Sequence, residues 1–452
     1  QLVLKKIKKI ISMKILVLDV YKDVEHRISK DTSGGYGTGN NFGDTLIPRL
    51  LKKTLKKVHD WSPMFVAYTI SVLKKNGNQV TFSKELTSNF EDYDLYIVAS
   101  SIVCCETEIN AIKKIKSKGG DVFAIGPFAT NQPKIYNDAG ATVILGEPEF
   151  YFLQKKHYVE DLKKKIITFD HSFELDDLPY PDWKTIITDP KKVSKLFGNY
   201  STIPMLATRG CPYSCFKYCV YPLQQGRKVR QRSPKKIVDE MEYWKKNMNI
   251  KMFVFRDPVF SINNKHTIEF AKELINRKLN VKYIIETHLR ILDKELIKIL
   301  KKSGLAAVKC GVESAHPEVL EDANRFTIEK DLQFKKIREL EKNNIQVSSM
   351  FILGFPTDKE ETMDNTINYA KKLNTTYAQF SVWTPYPGTP IFNEYKNKII
   401  TKSYEESDQY NLVYKHNSLD KNIVRKYLDK AYRTYYFRVS WILKFVRSFI
   451  FA

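Results

Sequence analysis

The chain has 452 residues, 43% hydrophobic and 28% charged, which excludes a disordered or fibrous polymer and exceeds what one ordinary core holds. No apolar run approaches the roughly 20 residues that cross a bilayer. The formal net charge is +23, yet Lys and Arg are spread along the whole chain, so charge leaves nucleic acid, anionic lipid and phosphorylated substrates equally open.

Gln1–Ser12 is basic and apolar but lacks the separate apolar core and cleavage site of a signal peptide. Met13, just ahead of a strand, is the expected natural start, and residues 1–12 read as a basic extension. Residues 13–150 alternate strands and helices, the pattern of a parallel sheet with helices on both faces. Expected strands are 15–20, 79–82, 95–99, 121–125 and 141–145. Expected helices are 64–75 and 106–118. Ligands of such sheets sit beyond the carboxyl ends of the strands; those ends carry Asp23–Asn41, Ser100–Glu106, Gly126–Ala129 and Gly146–Glu149. The glycines between Gly34 and Gly39 permit a close backbone approach to a large ligand, or simply a mobile loop.

Residues 151–200 show no sustained period and read as a linker. From 201 to 392 a second, more regular alternation predicts strands at 203–208, 252–255, 283–286, 306–311, 347–353 and 378–382. Helices are expected at 234–247, 265–276, 293–303, 328–343 and 361–373. Six strand–helix repeats make a partial barrel, whose chemistry belongs at the carboxyl ends of its strands. Residues 393–452 end in a basic, aromatic helix. Tyr427, Tyr435, Trp441, Phe445 and Phe449 share a stripe flanked by Arg438, Lys444 and Arg447, suited to covering the open side of the barrel or lying on an anionic membrane.

The six cysteines are Cys104, Cys105, Cys211, Cys215, Cys219 and Cys310. Three fall on one short loop after the first barrel strand, Thr208-Arg-Gly-Cys211-Pro-Tyr-Ser-Cys215-Phe-Lys-Tyr-Cys219. With no export signal, clustered cysteines point to metal and a reducing compartment rather than to disulfides. Three soft thiolates suit a 4Fe–4S cluster with one open iron. A zinc site completed elsewhere, a loop that no longer holds metal, and a zinc-stabilised membrane-associated binding protein are the alternatives left open.

This loop resembles that of the radical S-adenosylmethionine (SAM) superfamily, and later strand ends extend the resemblance over roughly 203–392: Phe255-Arg-Asp257, Glu286 with Arg290, Gly311-Val-Glu313-Ser314, Gly354-Phe-Pro356, and Trp383-Thr-Pro-Tyr-Pro387-Gly388. One departure is plain. The family spacing is C-x3-C-x2-C, and this chain has C-x3-C-x3-C, read as a one-residue insertion at Phe216 or Lys217. The resemblance implies metal ligation by Cys211, Cys215 and Cys219. It implies contacts to the cofactors from Tyr218, Asp257, Glu286, Arg290, Glu313, Ser314, Gly354, Pro387 and Gly388. It further implies SAM bound at the open iron, reductive cleavage to a 5′-deoxyadenosyl radical, and an electron donor such as flavodoxin or ferredoxin.

Residues 13–150 resemble the Rossmann-like cobalamin-binding domain that precedes this barrel in relatives. The matching pieces are Ser62-Pro63, the strand after Tyr93, Ile125-Gly-Pro-Phe-Ala-Thr130 and Gly146-Glu147-Pro-Glu149. The cobalt-ligating D-x-H-x-x-G motif is absent, since Asp23-Val-Glu-His26 has the wrong spacing. The architecture implied is α/β: a cobalamin-binding-type domain, a partial (βα)6 barrel and a helical C-terminal region. The expected activity is cobalamin-dependent C-methylation. Rearrangement or cyclisation without methyl transfer is the runner-up, and methylthiotransfer is disfavoured because Cys104–Cys105 lack a third partner. A small-molecule or lipid-linked substrate is expected in the cytoplasm, with peripheral contact to the inner membrane face through the tail as an option. No nucleic-acid module is visible.

Overall fold

The computed structural model describes residues 12–22, 27–55, 61–86, 93–158, 160–170, 173–189, 195–196 and 200–450. Residues 1–11 and His26, and the side chains of Phe216 and Phe449, lie outside the described set.

The first sheet contains β1 (Lys14–Leu18), β2 (Gln79–Ser83), β3 (Leu95–Ala99), β4 (Val122–Ile125), β5 (Thr142–Ile144) and β6 (Ile166–Ile167), all parallel, in the order β2-β1-β3-β4-β5-β6. Its central strands are continuous apolar runs such as LYIVA, buried residue by residue, because helices cover both faces. The helix Met64–Lys75 is buried almost all round, from Met64 to Leu73. It therefore lies inside the molecule rather than on its surface.

The second sheet contains β7 (Lys195–Leu196), β8 (Tyr200–Met205), β11 (Met252–Phe255), β12 (Lys282–Glu286), β13 (Leu305–Glu313), β14 (Gln346–Leu353) and β15 (Tyr377–Val382); β9 (Thr208–Arg209) and β10 (Arg230–Gln231) form a separate antiparallel pair. The order β15-β14-β13-β12-β11-β8-β7 follows the chain in one direction, with six parallel strands and β7 antiparallel at the edge. Successive right-handed crossovers in one direction curl such a sheet into an open half-barrel. Amphipathic helices line its outside. Lys294–Ser303, for example, starts on an Asp293 cap (Leu296 N–H to Asp293 Oδ1, 2.8 Å) and ends at Gly304 with φ +112°.

The stretch expected to be a linker is built into the fold. It supplies β6, and Leu175 and Trp183 are buried in the core that spans both sheets. The Asp182 N–H donates to the Ala67 carbonyl of the central helix (2.9 Å).

The C-terminal region covers the open edge of the half-barrel. The helix Lys421–Tyr436 lies along β15, and its tyrosine hydroxyls take over the backbone groups of that edge. Tyr432 Oη accepts from Phe380 N–H and donates to Phe380 O, and Tyr436 Oη does the same at Ala378. The following helix, Val439–Ile450, is tied down by Trp441 Nε1 donating to Thr376 O (2.9 Å). Among the described residues no helix is long and apolar enough to cross a membrane.

Candidate active site

β9 leads into the cysteine loop through Gly210, at φ +88°. A Cβ there would lie 2.1 Å from the Lys228 carbonyl oxygen, so the turn requires glycine. The Cys211 N–H donates to Gly226 O (3.2 Å), closing the loop on itself. Ser214–Lys217 form one tight helical turn, and the Cys219 N–H reaches back to Cys215 O (3.1 Å). Residues four apart on such a turn share a face. The extra residue in the C-x3-C spacing is thus absorbed by a helical turn, which keeps Cys215 and Cys219 on one side.

Burial raises the Cys211 and Cys219 thiols. Cys215 raises both further, and Cys211 also raises Cys219. The sulfurs are therefore within electrostatic reach of one another, and a shared cationic centre would convert their mutual repulsion into attraction. Among the described residues no three Cys, His, Asp or Glu side chains converge as one metal ion needs. A cluster spreads its thiolates over several irons, and three thiols on one loop are the soft donor chemistry that such a cluster takes.

Arg325, which no sequence motif pointed to, joins this loop to β13. Its Nη1 donates to Cys215 Sγ (3.6 Å), and its Nη2 donates to Gly311 O (3.2 Å) and pairs with Glu313 Oε1 (3.3 Å). Glu313 is buried and holds φ +66°, a left-handed conformation that costs a non-glycine residue on the order of 1–3 kcal/mol. Glu286 and Lys309 are register partners on β12 and β13. Lys309 and Gly311 alternate along β13, the register shifts between Gly311 and Glu313, and the Glu313 carboxylate lies where a side chain on Gly311 would be. Neither Glu286 nor Lys309 makes a hydrogen bond or ion pair with another described residue. Burial, then Arg256, push the Lys309 ammonium down to about 8, and burial raises the Glu286 carboxyl. Cys310 takes the opposite face: its Sγ donates to Ser348 O (3.8 Å) and it lies near Tyr369 of the outer helix Glu360–Leu373.

Other expected contacts fall elsewhere. Asp257 is fully buried and accepts from the N–H groups of Ala207 and Thr208, so it positions the strand entering the cysteine loop instead of facing the cavity. Arg290 is exposed and stacks over Phe326 at 4.7 Å. Ser314 sits against Thr366 (3.3 Å) and accepts from the His316 N–H (3.1 Å), an outer-layer role. The Pro387 carbonyl accepts from Tyr36 Oη (2.8 Å), and a Cβ on Gly388 would meet Asn131 at 2.6 Å, so both serve the contact with the first sheet. Gly354, at φ +73°, turns the chain after β14, and its carbonyl accepts from Tyr414 Oη (3.0 Å). Tyr218 packs edge-on against Phe355 (6.2 Å) beside Cys219.

Between the sheets lies a small cleft that opens to solvent. Gly34, Gly35, Met64 and Phe65 line it from the first sheet, and Leu206, Arg209, Tyr221, Gln224, Gln225 and Arg256 from the cysteine-loop side. Arg256 pairs with Asp31 and lies over Trp61 (5.3 Å), yet its Nε and Asp31 Oδ1 are buried without hydrogen-bond partners. Apolar Met64, Phe65 and Leu206 share this lining with the Gln224 and Gln225 amides, with Arg209 and Arg256, and with the carboxylates of Asp31 and Glu149, a mixed surface that can hydrogen-bond an amide-bearing ligand in both directions.

Residues 205–370 match the radical SAM superfamily. The matched stretch, from the end of β8 through β14, is a radical SAM domain. The chain is 28% identical over 274 residues to an uncharacterized methyltransferase of Pyrococcus horikoshii, covering 60% of this chain and 58% of that one, less than two thirds of the relative's length. It is 26% identical over 424 residues to an anaerobic magnesium-protoporphyrin IX monomethyl ester cyclase of Rubrivivax gelatinosus, covering 85% of this chain and 75% of the relative. Among solved structures it resembles the radical SAM methyltransferase TsrM of Kitasatospora setae with cobalamin and a [4Fe–4S] cluster bound: TM-score 0.61, 15% identity, 85% of this chain and 78% of that one. The matched stretch holds the cysteine loop at the expected carboxyl edge of its sheet.

Proposed function

We propose that this radical SAM enzyme transfers a methyl group to an unactivated carbon of a small-molecule or lipid-linked substrate, using SAM, a 4Fe–4S cluster on Cys211, Cys215 and Cys219, and cobalamin in the cleft between the sheets. When bound, the cluster supplies the electron that cleaves the SAM sulfonium, and the corrinoid supplies the methyl group. The chain's own residues then have assignable work. Asp257 fixes the backbone ahead of the loop, and Arg325 ties Cys215 to Glu313. Glu286 and Lys309, register partners that attract each other electrostatically, offer a carboxyl and an amine to whatever enters the curl. The walls of the half-barrel exclude water from a reactive radical.

The observation that carries this reading is the trio of thiols on one loop at the carboxyl end of the first barrel strand, followed directly by Tyr221, Gln224 and Gln225 of the cleft lining. Anaerobic reconstitution tests it. The enzyme should hold about four irons per chain and release 5′-deoxyadenosine on reduction with SAM, and Cys219→Ala should abolish both. Retention of full cleavage activity by that variant would refute the ligand set.

Cyclisation or rearrangement without methyl transfer is the second reading, favoured by the 85% coverage of this chain in the match to the cyclase. A search for labelled methyl in the product separates the two. An external one-electron donor such as flavodoxin or ferredoxin is required in either case. Phe437, Val439 and Leu443 are exposed around the start of the last helix, which supports peripheral membrane contact of that tail.

A further inference from the structure

In the first sheet the strand order reverses between β1 and β3, and open parallel sheets receive ligands in the crevice beyond the carboxyl ends at such a point. Here the chain fills that crevice itself. Lys30, from the loop after β1, is fully buried, and its ammonium sits between the two strand ends. It donates to Val20 O (2.5 Å) and pairs with Asp19 Oδ1 (3.2 Å) just past β1. It also pairs with Glu108 Oε1 (2.9 Å). Glu108 in turn accepts from the N–H (3.0 Å) and hydroxyl (2.7 Å) of Ser101, just past β3, and from Tyr136 Oη (2.7 Å). Burial alone would lower the Lys30 ammonium, but Glu108 and Asp19 raise it above its ordinary value, so the plug stays charged and paired.

The rest of the loop is equally anchored. Ser29 and Thr38 exchange both backbone hydrogen bonds (2.9 and 3.0 Å). The Tyr36 carbonyl accepts from the Ile102 N–H (2.9 Å) after β3, while its buried ring packs edge-on against Phe128 and Tyr386. Gly37, at φ +85°, lies so close to β3's exit that a Cβ would meet Val103 at 2.6 Å. Expelling this loop would strand two buried carboxylates without their cation. Its tip, Gly34 and Gly35, turns the other way and lines the cleft.

We infer that loop 28–39 is a resident occupant of the switch-point crevice, so that a corrinoid on this chain is held in the inter-sheet cleft by its ring alone, with its nucleotide tail outside the first sheet. This rests on the corrinoid reading proposed above. The test compares aquacobalamin with cobinamide, the same ring without the tail, titrated against the full-length anaerobic protein. Dissociation constants within about threefold of each other are expected, as is no loss of hydrogen-exchange protection at amides 28–39 when cobalamin is bound. Cobalamin binding tenfold or more tighter, or loss of protection in that loop on its addition, would overturn the inference and leave the corrinoid reading standing. Binding of neither compound would overturn both, while iron content and SAM cleavage would still report on the radical SAM domain.

Discussion

Asp257 and Arg325 show how two charged groups far from each other in sequence organise one cysteine loop. Burial, the dominant influence, raises the Asp257 carboxyl to about 6, against opposing hydrogen bonds from Thr208 and Ala207. A carboxyl raised in the folded state binds protons that the unfolded chain has released. Its contribution to stability is therefore present below the unfolded value of 3.8 and lost as pH rises through about 6. The stability advantage of the wild type over Asp257→Asn should fall by up to roughly 3 kcal/mol from pH about 4 to about 6 and stay level above it. Denaturant titrations at stepped pH check this; a difference that rises with pH would contradict it. Arg325→Gln removes the cation from a buried Glu313, a loss of roughly 3–5 kcal/mol. It should also lower iron incorporation, read as iron per chain in protein whose circular dichroism shows it folded. Full iron content with unchanged stability would refute the role given to Arg325. The cysteines were legible because three thiols on one loop are a local signal. Arg325 was not, because Asn324-Arg-Phe carries no spacing cue and its partners sit on the cysteine loop and on β13.

At the scale of elements, period was the reliable guide. The helix Met64–Lys75 and the strands Leu95–Ala99 and Met252–Phe255 match expectation to the residue. β6 and β7 are two residues each, too short to show any period, and so 151–200 read as a linker. The C-terminal aromatic stripe was legible as a face needing cover, but the function of its hydroxyls was not. An edge strand exposes N–H and C=O groups that invite pairing with another chain. Tyr432 and Tyr436 satisfy one donor and one acceptor each, at Phe380 and Ala378. Tyr432→Phe leaves the buried Phe380 groups unpaired and should cost about 1–3 kcal/mol in urea unfolding. Tyr436→Phe, at a half-buried site, should cost less. The double variant should gain a concentration-dependent self-association that neither stable parent shows by sedimentation. If both variants unfold at the wild-type midpoint, the hydroxyls do not protect this edge.

The whole molecule depends on charge buried between its two sheets. Arg209, two residues ahead of the first cysteine, is buried against Glu147 and Glu149, the latter at 2.5 Å, just past β5 of the first sheet. Its guanidinium also lies over Tyr68 (5.2 Å) and Phe150 (5.6 Å). Arg230 shares Glu147 (2.7 Å), and at the far side Asp429 accepts from the N–H groups of Asp44 and Thr45 ahead of the helix Leu46–Leu55. Such long-range pairs leave no trace in a linear pattern, which is why composition suggested separable units and an uncommitted excess of positive charge. Replacing Arg209 by Met removes the cation but keeps the apolar stem that covers Tyr68. Glu147 retains Arg230, whereas Glu149 is left buried and unpaired, costing roughly 3–5 kcal/mol at the contact between sheets. Because the loss falls on that contact and not within either core, calorimetry should show one cooperative transition for the wild type and two for the variant, with the curled sheet melting at the higher temperature. The same variant should bind cobalamin more weakly while holding its iron, since the cleft has a wall from each sheet and the cysteine loop only one. An unsplit transition at the wild-type temperature would mean that the apolar core shared by the two sheets, and not the buried charge, joins them.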